Sequence, residues 1–305
     1  MEIQSNLFEM IGIEENETDV ISRPRVGYLA DAWRRFKLNK VAVVAMIILA
    51  ILIFMVLFGQ AISGYNFSDM DKTARNLAPN GSHWFGTDKL GRDTFARVWQ
   101  GGRISLAIGV IGALVSTVVG CLYGGIAAYI GGVVDDVMMR IVEILISVPY
   151  LIVVILMSVI LQSKSVGTLL LAMTITSWCG MARFIHAQML QIKGQEYILA
   201  AQVLGERRWR IVTKHMIPNT LSVVIVSITF DIPGYIFSEA FLSFIGLGVQ
   251  SPDTSWGALV SEAQSTFIFY PYQLLFPALM IALTMLSFTL MGDGLRDALD
   301  PKLRK

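Results

Sequence analysis

Long apolar runs recur along the chain, each bounded by a short polar or charged stretch. The first, residues 41–58, holds no Asp, Glu, Lys or Arg. A helix of about 20 apolar residues crosses a bilayer core, so this run predicts a membrane span. Runs at 104–129, 137–161, 166–185, 220–248 and 274–291 repeat the pattern. The expected fold class is therefore all-α: a polytopic membrane protein of about six transmembrane helices. Pro149 is expected to kink the third run, where Arg140 and Glu143 stand three residues apart on one helical face. Asp231-Ile232-Pro233-Gly234 is expected to interrupt the fifth, because a proline there frees backbone groups that must face protein or water. Gly, Ala and Ser recur through 104–129 at a spacing that suits close helix packing.

Charge sets the orientation. Arg34, Arg35, Lys37 and Lys40 precede the first run, and Arg296, Lys302, Arg304 and Lys305 follow the last. Loops rich in Lys and Arg stay cytoplasmic, so both termini are placed inside. The stretches 59–103, 162–165 and 249–272 then fall outside. Gly131-Gly132 with Asp135-Asp136 forms an inner turn, and 195–219 an inner loop. Residues 33–40 are basic and amphipathic and are expected to lie along the inner membrane surface. Residues 1–19, with Glu14, Glu15, Glu17 and Asp19, read as a mobile tail with no apolar core for a cleavable signal peptide. Arg183 and His186 are expected to snorkel at an inner helix end. Trp256, Tyr270 and Tyr272 are expected at the outer headgroup level. In the first outer loop, Arg92 and Asp93 are expected to form a local ion pair. The resulting divisions are 1–40, 41–103, 104–292 with the inner segment 195–219, and 293–305.

Composition agrees with a membrane protein: 54% of the residues are hydrophobic and 15% charged, against about 25% charged in soluble domains. The net charge of +1 gives no footprint for nucleic acid. Cys121 and Cys179 lie inside apolar runs without CxxC spacing and read as packing residues.

The sequence holds no GxxxxGK[ST] phosphate loop, no HExxH and no GxSxG elbow. His83, His186 and His215 are scattered and suggest no metal site. No catalytic constellation is present, so the chain is not expected to be an enzyme. Asp231 and Glu239, ionisable and within a span, are the candidates for a translocation path. A secondary transporter would need a second broken helix matching the one at 231–234, and none is visible. A membrane-embedded hydrolase would need a nucleophile or metal pair, also not visible.

The inner segment 195–219 carries the sharpest pattern. Ala200-Ala201, Gly205 and Ile217-Pro218, with Lys214-His215-Met216 before the proline, resemble the EAA loop of ABC importer permeases. Gly86-Thr87-Asp88, Gly91-Arg92-Asp93 and 101–106, then 242–248 with Ser255-Trp256-Gly257, then 292–301, are similar to the C-type permease of di- and oligopeptide importers, a branch shared with nickel permeases. The resemblance implies a type I ABC importer transmembrane domain in a bacterial or archaeal plasma membrane. It implies a short coupling helix at 197–205, with Tyr197, Leu199, Ala200, Ala201, Gly205 and Pro218 as the ATPase-coupling residues. Leu199 departs from the family, which has glutamate there. The implied partners are a homologous second permease, two ATPase subunits carrying ATP and Mg, an extracytoplasmic solute-binding protein and membrane lipid, with no cofactor in this chain. Peptides are favoured as substrate over the nickel alternative, because the outer loops carry no run of His, Cys or Met.

Overall fold

The computed structural model describes residues 27–163, 165–251 and 253–299. The acidic tail expected at 1–19 and the basic residues Lys302, Arg304 and Lys305 lie outside them. The elements are α1 (Tyr28–Leu38), α2 (Lys40–Ser63), α3 (Thr94–Ile130), α4 (Gly132–Ser147), α5 (Tyr150–Leu161), α6 (Val166–Lys193), α7 (Glu196–Val203), α8 (Arg208–Ile211), α9 (Ile217–Phe244), α10 (Trp256–Ala263) and α11 (Tyr272–Leu299). A π-helical turn, Val212–Met216, joins α8 to α9.

Five helices are long and apolar enough to cross a membrane, with α8, the π turn and α9 together forming one of them. The bent pair α4–α5 gives a sixth if it is counted as one span. The bend is 83°, so Pro149 breaks this element rather than kinking it. Its ring disfavours helical backbone at the preceding residue, and Val148 is accordingly extended at φ −81°, ψ 124°.

Three expected boundaries move for local reasons. The first outer loop ends at Asp93, whose carboxylate accepts from Ala96 N at 2.7 Å and caps α3. Gly101-Gly102-Arg103 is thus helical, and its glycines let α3 approach Ser255, Val56 and Trp256. Gly131, at φ +70°, ends α3, but Asp135 and Asp136 lie inside α4 rather than in the turn. The 292–299 stretch is not tail but the last two turns of α11, where Gly294 packs on Ala42 and Phe36.

The expected interruption at Asp231–Gly234 does not occur. α9 runs unbroken through Pro233, which is buried with Ile232, Tyr235 and Ile236. It packs there on α3, with Gly109 against Ile236 and Gly112 against Tyr235. The central core joins Leu49, Ile108, Met173, Ile236, Leu242 and Phe288 from α2, α3, α6, α9 and α11. The outward face of α2, with Val44, Ile47, Ile51, Phe54 and Phe58, stays exposed, as a lipid-facing surface does.

Candidate functional site

Three regions hold the polar and exposed residues: the outer cap, a cavity along α9, and the inner segment around α7.

In the outer cap, every residue of the Gly86–Asp93 motif has a defined place. Gly86 and Gly91 sit at φ +73° and +78°. A side chain on Gly91 would strike the Asp71 backbone, so glycine is required there on both counts. Thr87 is buried; its hydroxyl donates to the Ala74 carbonyl and accepts from Leu77 N. Asp88 Oδ1 accepts from Leu90 N and Arg92 N at 2.8 and 2.9 Å, closing the turn. Its Oδ2 meets Arg92 Nε at 2.6 Å and Arg97 Nη1 at 2.7 Å.

Both arginines also reach Glu262 on α10, at 2.9 Å each. The result is a neutral quartet of two cations and two carboxylates, with Asp88, Arg92 and Arg97 buried and Glu262 partly exposed at its edge. Burial pushes the Glu262 carboxyl up, but the Arg97 hydrogen bond and the charges of Arg97 and Arg92 outweigh it and hold it below its ordinary value. The expected Arg92–Asp93 pair is therefore not formed. Asp93 instead meets His83 Nδ1 at 2.8 Å while capping α3.

Trp256, expected at the headgroup level, is fully buried. Its indole nitrogen donates to the Val98 carbonyl at 2.8 Å, bolting α10 to α3. Just beneath, Glu239 is also fully buried. It accepts from Ser105 at 3.0 Å, Ser243 at 2.7 Å and Ser255 at 2.6 Å, which belong to α3, α9 and the cap of α10. Three donors replace the water this carboxyl loses. Glu239 thus faces a helix junction and not a cavity.

Asp231, two turns away on α9, has the opposite setting. It lines a cavity of about 600 Å³ with Ser116, Tyr150, Ser177, Phe230 and Tyr235 among its neighbours. A second cavity of about 440 Å³, lined by Gln188, Ser222 and Arg296, abuts it through Phe184, Ser227 and Phe230. The chain thus has two adjoining spaces along α9, mostly apolar in lining with a few polar groups set into them.

The inner segment is built to present a face. Ile198 is buried and Ala201 packs behind it against Met189, Ile211 and Met216. The other face of α7 carries Tyr197, Leu199, Ala200, Val203 and Leu204, all exposed, with Val203 at 87% and Leu204 at 86%. Gly205, at φ +77°, ends the helix. Glu206 N bonds Ala201 O and Gly205 N bonds Gln202 O, the paired closure that a left-handed glycine permits. Glu206 then holds Arg210 at 3.0 Å and His215 at 3.2 Å. Exposed Trp209, Arg207 and Lys214 complete the rim.

Pro218 follows the π turn. There Ile217 N–H reaches Val212 O, five residues back, and Asn219 Nδ2 bridges the His215 carbonyl and the Tyr197 hydroxyl at 2.7 and 3.1 Å. His186, expected to snorkel, lies instead 2.7 Å from Asp135 on α4. Among the described residues no group of three or more His, Cys, Asp or Glu is placed to hold a metal ion.

Sequence reasoning missed Arg97, Glu262, His83 and the structural place of Trp256. Arg97 left one signal: a lone cation in the opening turn of an apolar helix needs a buried partner.

A bundle of five long apolar helices with a bent pair, a polar outer cap and an exposed inner helix is the fold of a type I ABC importer transmembrane domain. A chain of the MetNI methionine ABC transporter, solved in inward facing conformations, matches it with a TM-score of 0.53 at 19% identity, over 67% of this chain and 94% of that one. The chain belongs to the family described as binding-protein-dependent transport system inner membrane component, matched over residues 116–305. Residues 27–79 match the N-terminal TM domain of oligopeptide transport permease C. The dipeptide transport system permease protein DppC of Bacillus subtilis is 47% identical over 96% of this chain and 91% of its own. The oligopeptide transport system permease protein OppC of the same organism is 45% identical over 99% of both. OppC of Escherichia coli is 45% identical over 90% of this chain and 91% of its own. The chain is a multi-pass inner-membrane component of an importer.

Proposed function

We propose that this chain is the C-type permease of an ATP-driven peptide importer, forming half of a translocation path with a homologous second permease. It is non-catalytic: two ATPase subunits hydrolyse ATP with Mg below the membrane, and an extracytoplasmic binding protein delivers di- or oligopeptides above it. The membrane is the plasma membrane of a bacterium or archaeon. The relatives named for dipeptide and oligopeptide transport support the substrate class. No specific feature favours nickel.

One observation carries the coupling role. Leu199, Ala200, Val203 and Leu204 form an apolar face at α7 that no described residue covers, followed in sequence by exposed Arg207, Arg210 and Lys214. An apolar patch with a polar rim marks a protein contact. Leu199, where the family has glutamate, makes that contact more apolar. Closure of the ATPases then moves α7, and through Ile198 and Met216 its packing partners α6 and α9.

The test uses Leu204→Asp, because Ala201 packs inward and a charge there would also disturb the fold. In the whole complex, Leu204→Asp is expected to abolish ATPase co-purification and peptide uptake. The thermal midpoint of the permease pair should stay unchanged. Retention of both ATPase and uptake would remove α7 from the coupling role.

A further inference from the structure

α9 carries a polar stripe, Ser227, Asp231 and Ser238, spaced four and seven residues apart and so on one helical face. All three line the 600 Å³ cavity, and Asp231 is its one charged lining residue. Of the other hydroxyls around it, Tyr235 is engaged with Ser116 and Ser177 with the Met173 carbonyl, while Tyr150 adds a third hydroxyl to the lining. Ser227, Asp231 and Ser238 have no hydrogen bond or ion pair among the described residues. A carboxylate at membrane depth in an open cavity of mixed lining, with no cation beside it among the described residues, is a site for a cationic ligand.

The lining decides which cation. A hard divalent ion needs six or more oxygen ligands, or about four nitrogen and sulfur ligands for a softer one. One carboxylate with no His or Cys around it supplies neither. A primary ammonium has three N–H donors and no acceptor. One carboxylate and two hydroxyls, all acceptors, match that count. A cavity of this size also holds a short peptide with its side chains. We infer that Asp231, flanked by Ser227 and Ser238, receives the α-ammonium group of the peptide in transit. This rests on the peptide reading above.

The experiment uses proteoliposomes holding the whole complex, loaded with saturating binding protein and trialanine as the probe. Uptake and peptide-independent ATPase activity are measured for wild type, Asp231→Asn, Asp231→Glu and the double variant Ser227→Ala/Ser238→Ala. Asparagine keeps the shape of aspartate without its charge, whereas glutamate keeps the charge in another shape. Asp231→Asn is expected to lower uptake about tenfold, as loss of one charged hydrogen bond does, with ATPase activity and assembly unchanged. Asp231→Glu should return uptake to within about threefold of wild type, and the serine pair should cost about threefold. Wild-type uptake by Asp231→Asn would overturn the assignment and leave the peptide function standing. So would a loss of assembly, which would make the residue structural. No uptake of trialanine by wild-type vesicles would overturn the peptide reading and the assignment with it.

Discussion

Arg97 in the first turn of α3 and Glu262 in α10 stand 165 residues apart in sequence, yet they share two hydrogen bonds: Nη1 to Oε2 at 2.9 Å and Nη2 to Oε1 at 3.1 Å. With Asp88 and Arg92 they close a charge-balanced knot that fixes the second outer loop on the first. Removing one partner leaves a cation buried without its counter-charge, which costs about 3–5 kcal/mol in a fully buried pair. Glu262 keeps 32% of its side-chain exposure, so Glu262→Gln is expected to cost about 2 kcal/mol. Thermal unfolding of the detergent-solubilised protein measures it, and Arg97→Met, with Arg97 only 3% exposed, should cost more.

The same knot gives stability a pH dependence. The Glu262 carboxyl is held below its ordinary value of 4.5 in the folded chain, so the unfolded chain binds the proton more readily. Its contribution is fully present above 4.5 and is lost as pH falls through the lower folded value. Melting temperature followed downward from pH 6 should therefore drop more for wild type than for Glu262→Gln. Parallel curves would show that another carboxyl governs the acid limb.

Trp256 tests the second bolt of the outer cap. Truncation to alanine removes a fully buried indole and is expected to cost about 3–5 kcal/mol. Trp256→Phe keeps most of the apolar contact with Val56 and Leu259 but loses the bond to Val98, at about 1–2 kcal/mol. A phenylalanine variant as damaged as the alanine one would make the hydrogen bond, not packing, the larger contribution.

The spans were legible because lipid demands long uncharged runs, and no tertiary contact can alter that demand. The helix expected at 197–205 was legible for a similar reason, since helix-favouring residues lead into a glycine that ends it, and α7 runs Glu196–Val203. What could not be read were choices made by partners distant in sequence. Arg92 prefers Asp88 and Glu262 to adjacent Asp93 only because α10 folds onto α3. Trp256 looks like an interfacial aromatic until Gly102 leaves space for it. Asp231 and Glu239 were indistinguishable as ionisable residues in one span. The serines that claim Glu239 come from α3 and α10 as well as its own helix, whereas none claims Asp231. Pro233 signalled a break, but α9 runs through it unbroken.

A close approach of α3 to α6 gives a matched pair of variants. Gly124 on α3 faces α6 so tightly that a methyl group there would meet the Ala182 carbonyl, a backbone atom that cannot rotate aside. Its neighbour Gly125 has nothing within 4 Å. Alanine is the better helix former by about 1 kcal/mol, so Gly125→Ala is expected to be neutral or stabilising. Gly124→Ala gains the same propensity but forces α3 from α6, and overpacking costs about 1–3 kcal/mol. The difference between the two variants cancels propensity and isolates the contact. Gly124→Ala should melt measurably below Gly125→Ala, and Gly124→Val lower still. If the two alanine variants melted together, α3 and α6 would have room to separate, and small-residue packing would not be what holds them.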